Sequence, residues 1–374
     1  MVLLPYLRYK GARYRSRRIL PSYGIGSVRT ESDNKLSLLE EKINMKIVFM
    51  GTPDFARSAL EKIIEAGHEV VLVVTQPDKP KGRSGELQVS DVKACALEHN
   101  IPVFQPEKIK EPQNVAYLSG IDADIYVVAA FGQILSQSIL DIPKFGCVNI
   151  HASLLPEYRG AAPIQQAIID GKRTTGVTIM QMAAGMDTGD ILLQRKIPIS
   201  DEDTGGSLFD KLSKLGAELI VEALPLIEKG EITPVPQDDA LATKCGKLSK
   251  DMGRIDFSED AEVIRDLIRG LNPWPSAYAY LDGKMLKIWN AKVLNHVDFS
   301  ALCNSLSGEA SSRAKELINK NAYGAVLAVT KDFFVVLCGQ DYLKITELQL
   351  EGKKRMDVKS FLLGNKLEIG TVLK

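Results

Sequence analysis

The sequence predicts an open α/β domain built on a parallel sheet, followed by a smaller strand-rich domain. Three observations carry that reading. Between Met45 and Gly230, short apolar runs alternate with stretches of helical period, the pattern of an α/β fold. The runs lack the in–out alternation of a half-exposed strand, so they read as strands covered on both faces. Beyond Gly230 the chain turns polar and proline-bearing, then resumes as short strands broken by glycine and charged turns.

Taken in order, "KIVFM" is a strand ending at Gly51, and "FARSALEKIIEAG" is the helix after it. "EVVLVVTQ" is a second strand, "VSDVKACALEHN" a helix and "PVFQP" a short strand. "ADIYVVAAF" and "GCVNIH" are strands separated by a helix around "SQSILDI". "GVTIMQM" and "GDILLQRKIPI" follow as strands, and "TGGSLFDKLSKLGAELIVEALPLIEKG" is a long amphipathic helix stopped by Gly230. The second domain offers a helix at "SEDAEVIRDLIRGL" and then the strands "AYAYL", "KMLKIWNAKV", "AVLAVT", "FFVVLCG" and "YLKITELQL". A small barrel or sandwich fits them. The expected division is an extension over residues 1–44, a first domain over 45–230, a linker over 231–252 and a second domain over 253–374.

With 374 residues, 45% apolar and 25% charged, the chain can fill two cores of ordinary size. Net charge is zero but unevenly placed: residues 1–44 hold nine basic and four acidic side chains, leaving 38 basic and 43 acidic in the rest. A nucleic-acid partner would therefore be held by local basic patches and not by a global field. The first thirty residues, with seven basic and no acidic side chains, read either as an organellar targeting segment or as a start assigned upstream of Met45. The five cysteines are scattered without a C-x-x-C, which points to a reducing compartment and away from disulfides or zinc. No apolar run approaches the ~18 residues that a membrane span needs.

Ligands of open parallel sheets bind at the carboxyl ends of the strands. "GCVNIH" ends in Asn149 and His151, two apart and so on one face. The loop "SLLP" follows, and Pro156 favours an extended Leu155, which would leave backbone groups free for a flat polar ring. "GMDTGDILLQ" brings Asp187 from a glycine-flanked loop. An amide, an imidazole and a carboxylate converging this way suit acyl-type transfer: Asn149 binds a developing oxyanion, and Asp187 orients His151 and favours its protonated form.

Competing chemistries find less support. His68, His99 and His296 stand in unrelated contexts, exposed or at helix ends, so no metal site is expected. Cys147 points deeper along the strand into the core, and no nucleophile elbow surrounds Ser153. The turn "MGTPDF" carries one glycine where a dinucleotide cradle needs three. "TQPDKPKGRSGE" is a long polar loop bearing Lys79, Lys81 and Arg83.

"MGTPDFA", "TQPDKPKGR", "VNIHASLLPEYRGAAPIQ", "TGVTIMQM", "MDTGD" and "GLNPWPSA", in this order, resemble the methionyl-tRNA formyltransferases, a branch of the folate-dependent formyltransferases. The resemblance implies a Rossmann-like catalytic domain with a parallel sheet and a C-terminal OB-like β-barrel that binds tRNA. It implies transfer of a formyl group from 10-formyltetrahydrofolate, a co-substrate, to the methionine amine of initiator methionyl-tRNA. Asn149, His151 and Asp187 match the catalytic trio, and Ser153, Leu154, Leu155 and Pro156 match the folate-contacting stretch. Lys81 and Arg83 match the tRNA-contacting loop, although "SGELQVSD" after Arg83 lacks lysines that some relatives carry. A monomer without metal or membrane association is expected. A bacterial, cytoplasmic protein is expected if Met45 is the start, and a mitochondrial or plastid one if residues 1–44 are a targeting segment. Two alternatives are a formyltransferase acting on a nucleotide amine or nucleotide sugar, and a non-catalytic RNA-binding protein.

Overall fold

The computed structural model describes residues 44–80 and 87–374. Residues 1–43 of the expected extension, together with Lys81 and Arg83, lie outside the described residues. The first sheet contains β1 (Lys46–Gly51), β2 (Glu69–Val74), β3 (Val103–Phe104), β4 (Ile125–Ala129) and β5 (Cys147–His151). After the two-residue strand β6 (Arg159–Gly160), it gains β7 (Thr174–Gln181) and β8 (Ile191–Pro198). Strand order is β8–β7–β5–β4–β1–β2–β3. Neighbours are parallel from β3 to β5 and antiparallel from β5 to β8. The chain runs outward from β1 to β3 and returns on the other side of β1 at β4, so strand order reverses between β1 and β4.

Both faces of the sheet are covered at β1, β4 and β5, which is why these strands are continuously apolar, whereas the edge strand β8 is half exposed and mixed. On one face Ile47, Phe49, Val127, Val148 and Ile150 pack under α1 (Asp54–Glu65), α2 (Asp91–Glu98) and two later helices. On the other, Val48, Met50, Tyr126, Val128 and Cys147 lie under α3 (Pro112–Ser119) and α4 (Gln137–Leu140). Each such side chain contributes roughly 1.5–3 kcal/mol on burial. Gly51 is required by packing: a Cβ there would meet the Ala56 Cβ at 2.6 Å and the Ala129 carbonyl at 3.0 Å. The later helices are α5 (Pro163–Ile169) and α6 (Gly205–Glu228). Thr204 and Ser207 cap α6 reciprocally, and Leu208, Leu212, Leu215 and Leu219 form its buried stripe.

The second sheet is antiparallel. Beyond the two-residue strand β9 (Lys244–Cys245), its members are β10 (Ala277–Leu281), β11 (Lys284–Leu294), β12 (Val326–Val329), β13 (Phe334–Leu337), β14 (Tyr342–Leu350) and β15 (Met356–Asp357). They run in the order β10–β11–β14–β13–β12, with β15 on β14. The edge strands β10 and β12 do not pair directly; the C-terminal residues lie between them. Lys374 exchanges backbone hydrogen bonds with Tyr280 on β10, while Val372 bridges Ala325 beside β12.

Helix α7 (Ala261–Gly270) packs on α5, so the two sheets belong to one compact unit. The joint is polar. Arg269 Nη1 donates to the carbonyls of Ser200 (2.9 Å) and Asp203 (3.2 Å), and its Nε to Asp266 Oδ1 (2.7 Å). Asp203 accepts from the Ser200 N–H and hydroxyl, the Ser207 hydroxyl and Lys211 Nζ.

Two helices escape the sequence reading, which continues strand to strand here: α8 (His296–Ser305) and α9 (Gly308–Asn319). Their caps were legible, since Asn295 accepts from the Asp298 N–H and Ser307 from the Ala310 N–H. The apolar face of α8 is short, only Phe299 and Cys303 being buried, and gives little periodic signal. His68, expected to be exposed or at a helix end, is buried at the start of β2 and accepts the Met45 N–H through Nδ1. The helix α10 (Val358–Leu362) completes the chain's helices among the described residues. None of these helices is long and apolar enough to cross a membrane.

Candidate active site

Strand β5 positions two of the three residues. It pairs parallel with β4 and antiparallel with β7, placing Asn149 opposite Val128 and Met180, and His151 opposite Thr178. Alternation puts Val148 and Ile150 in the core beneath α6 and turns Asn149 and His151 to the other face. Cys147 shares that face but is sealed under α4, its thiol pushed up to about 12 by burial, so it packs as expected. Asn149 is half-buried, and its amide makes no hydrogen bond among the described residues.

Asp187 arrives from the β7–β8 loop. The loop leaves β7 beside the start of β5, where the Met182 N–H bonds the Cys147 carbonyl, and doubles back to His151. Asp187 Oδ2 accepts the Gly160 N–H at 2.8 Å and lies 3.8 Å from His151 Nδ1, too far for a hydrogen bond. The other ring nitrogen, Nε2, lies 3.0 Å from the Tyr158 carbonyl. A carbonyl only accepts, so Nε2 carries the proton, and in the neutral ring Nδ1 presents a lone pair toward Asp187. Ala130, Tyr158 and Asp187 are non-glycine residues at positive φ (46°, 60° and 53°), so left-handed strain of ~1–2 kcal/mol per residue gathers around the site.

Two opposing effects act on the charge state of His151. Burial pushes the His151 imidazole below its ordinary value; the Asp187 charge and the Tyr158 carbonyl act in the opposite sense without cancelling it. Burial acts strongly because His151 is 5% exposed, and the Asp187 charge favours the protonated ring from 3.8 Å without touching it.

The "SLLP" loop also differs. Its backbone is engaged from within: Thr178 Oγ1 donates to the Ser153 carbonyl and accepts the Leu155 N–H, and Gln194 donates to the Leu155 carbonyl. Ser153 and Leu155 are buried, while Leu154 and Pro156 are half-buried. Free backbone is found instead after β4, where the N–H groups of Gly132, Gln133, Ile134 and Leu135 have no partner among the described residues and Ile134 is 74% exposed.

Around this centre lie residues that the sequence reading did not single out. Gln237 Nε2 donates to the carbonyls of Asp187 (2.9 Å) and Gly189 (2.7 Å), and its Oε1 accepts from Arg159 Nε (3.0 Å). Strand β9 pairs with β6, Thr243 Oγ1 accepts the Tyr158 N–H, and the Cys245 thiol donates to the Tyr158 carbonyl. Residues 231–252, expected as a linker, therefore run along the site. Only Gly160 left a trace in the sequence: at φ 129°, any Cβ would meet the Cys245 carbonyl at 2.1 Å. The stem of the basic loop is anchored by Asp78, which binds Lys93 and Gln105, and Lys79–Pro80 pairs with Leu87–Gln88.

An amide, an imidazole and a carboxylate thus meet at one strand end of an α/β sheet. Residues 45–224 match the sequence model described as formyl transferase, and residues 247–366 match that of the formyl transferase C-terminal domain. The chain belongs to the formyl transferase family. Among curated relatives, the methionyl-tRNA formyltransferase of Lachnospira eligens is 52% identical over 329 residues, 88% of this chain and 99% of that protein. That of Agathobacter rectalis is 50% identical over 327 residues, 87% of this chain and 99% of its own. Among solved structures, the sugar 3N-formyl transferase WlaRD, determined with dTDP and 5-N-formyl-THF, matches with TM-score 0.58 and 20% identity, over 83% of this chain and 99% of that one. HypX from Aquifex aeolicus, in complex with tetrahydrofolic acid, matches with TM-score 0.55 and 18% identity, over 88% of this chain and 51% of that one. At these identities the two structures speak to the fold alone.

Proposed function

We propose that the chain transfers the formyl group of 10-formyltetrahydrofolate to the amine of methionine on initiator methionyl-tRNA. The observation that carries the reading is the convergence of Asn149, His151 and Asp187 at the end of β5, in a chain about half identical to methionyl-tRNA formyltransferases over nearly their whole length. The free N–H groups of residues 132–135 and the exposed Ile134 side chain suit a flat ring with polar edges, such as a folate. Leu154 and Pro156 line the same strand end. The folate supplies the formyl group, and this chain's residues manage charge and protons. The Asn149 amide donates to the oxygen that gains charge as the amine adds. His151 Nδ1, neutral and unbonded, takes the proton the amine loses. The imidazolium so formed is stabilised by the Asp187 charge and the Tyr158 carbonyl. It returns the proton to the folate nitrogen as the carbon–nitrogen bond to the donor breaks.

The C-terminal sheet is read as an OB-like barrel completed by residues 371–374, and it holds the tRNA together with Lys81 and Arg83 of the basic loop. Residues 45–230 form the catalytic part. The site is built from one chain's residues, which suits a monomer, and the bacterial relatives and buried, unpaired cysteines suit the cytoplasm. Formylation of initiator methionyl-tRNA, measured against elongator methionyl-tRNA, tests the reading. Transfer to the initiator species is expected, and its absence overturns the proposal.

A further inference from the structure

The segment between the two matched regions, residues 225–246, carries no assigned role, yet one of its side chains reaches the catalytic carboxylate's backbone. We propose that Gln237 is a positioning residue for formyl transfer, holding the Asp187 turn against His151 through a closed ring of hydrogen bonds. The inference rests on the reading of Asp187 as a participant in the reaction.

The ring can be followed atom by atom. The Asp187 carbonyl accepts from Gln237 Nε2, whose amide oxygen accepts from Arg159 Nε. Arg159 is covalently followed by Gly160, whose N–H donates to Asp187 Oδ2. Both ends of Asp187, backbone and carboxylate, are thereby tied to one frame. Tyr158 belongs to the same frame, one residue before Arg159, and its carbonyl holds His151 Nε2. The distance between imidazole and carboxylate is thus set by a frame that Gln237 closes. Its second N–H, to the Gly189 carbonyl, fixes the far side of the turn.

The arrangement is one that Asp187 needs. At φ 53° it sits in the left-handed region, where an L-residue persists only if its surroundings determine it. Gln237 satisfies two carbonyls of that turn, and no other hydrogen bond to either is found among the described residues. The guanidinium of Arg159 is itself held, 7% exposed, between Gln237 and Asp239.

A double-mutant cycle tests this. Gln237→Met keeps the length of the side chain and removes both donors; turnover should fall roughly 10- to 100-fold with KM little changed, as for a small misplacement of a reacting group. In an Asp187→Asn background the same change should cost far less, because Gln237 acts through Asp187. NMR titration of His151, one of four histidines, should show its midpoint lower in Gln237→Met, since the Asp187 charge that raises it drifts away. An equal fold-loss in both backgrounds, or near-normal turnover of Gln237→Met, overturns the inference. Near-normal turnover of Asp187→Asn overturns the reading beneath it, and the inference with it. Should Gln237→Met not fold, Gln237→Glu keeps the acceptor for Arg159 and lacks both donors; it is held to the two turnover outcomes alone, because its added charge itself raises the His151 midpoint.

Discussion

Two polar clusters among the described residues are built on opposite plans. At the joint between the sheets, Asp203 takes five hydrogen bonds from Ser200, Ser207 and Lys211, all between 2.7 and 2.9 Å. Burial pushes its carboxyl up, but those bonds outweigh it and hold the group at about 2. At the end of β5, by contrast, His151 and Asp187 stand 3.8 Å apart and the Asn149 amide has no hydrogen-bond partner among the described residues. A saturated cluster can do nothing but hold; an unsaturated one has donors and acceptors left for a reaction. Polar burial alone does not single out the β5 end; the proposal made for it rests on the residue types that converge there.

The contrast can be broken in order of effect. Asn149→Ala and Asp187→Asn should each lower turnover by ~10²–10³ while the melting temperature holds. Single-turnover formylation beside thermal unfolding measures both, and a drop in melting temperature with normal turnover would reverse the assignment. The pH profile sharpens the comparison. A His151 value below the ordinary ~6.5 places the acid limb of turnover below that pH, and Asp187→Asn should move it lower still. The same depression means that the unfolded imidazole binds its proton first, so stability falls as pH drops below ~6.5 toward the folded value.

Asp203→Asn should do the reverse of the active-site changes, lowering stability by about 2 kcal/mol at neutral pH with turnover kept. Because the folded carboxyl lies below its unfolded value, the wild-type protein should lose that contribution between pH ~4 and ~2, as urea unfolding across that range would report. Least of all, Lys292→Ala, which removes a mostly exposed ion pair to Glu202 across the same joint, should stay within ~0.5 kcal/mol.

How much of this was legible depends on the range of the interaction. The strands of the first sheet, the long helix α6 and the Asn149–His151 face follow from local pattern, because side-chain period and burial on both faces write themselves into adjacent residues. Asp187 was visible through its glycine-flanked loop. The Tyr158 carbonyl was not, since a backbone acceptor leaves no mark on residue type. Gln237 was not either: it meets Asp187 across fifty positions, and nothing near it shows periodicity. The burial that opposes protonation of His151 depends on how deeply the fold closes over it, which composition does not report. Helix α8 was lost to weak amphipathicity despite a clear cap; α9 was missed although both its cap and its amphipathic face, with Ala314 and Leu317 buried, were there to read.

Strand β5 is bonded along both edges, to a parallel neighbour on one side and an antiparallel one on the other. A slip of one residue would turn Val148 and Ile150 toward the cleft and drive Asn149 and His151 into the core beneath α6. Two ladders of different hydrogen-bond spacing would have to shift together for that to happen. The seam between the two halves of the sheet is therefore a vernier: two unlike scales agree at a single setting, and at that setting the amide and the imidazole share one face of the sheet.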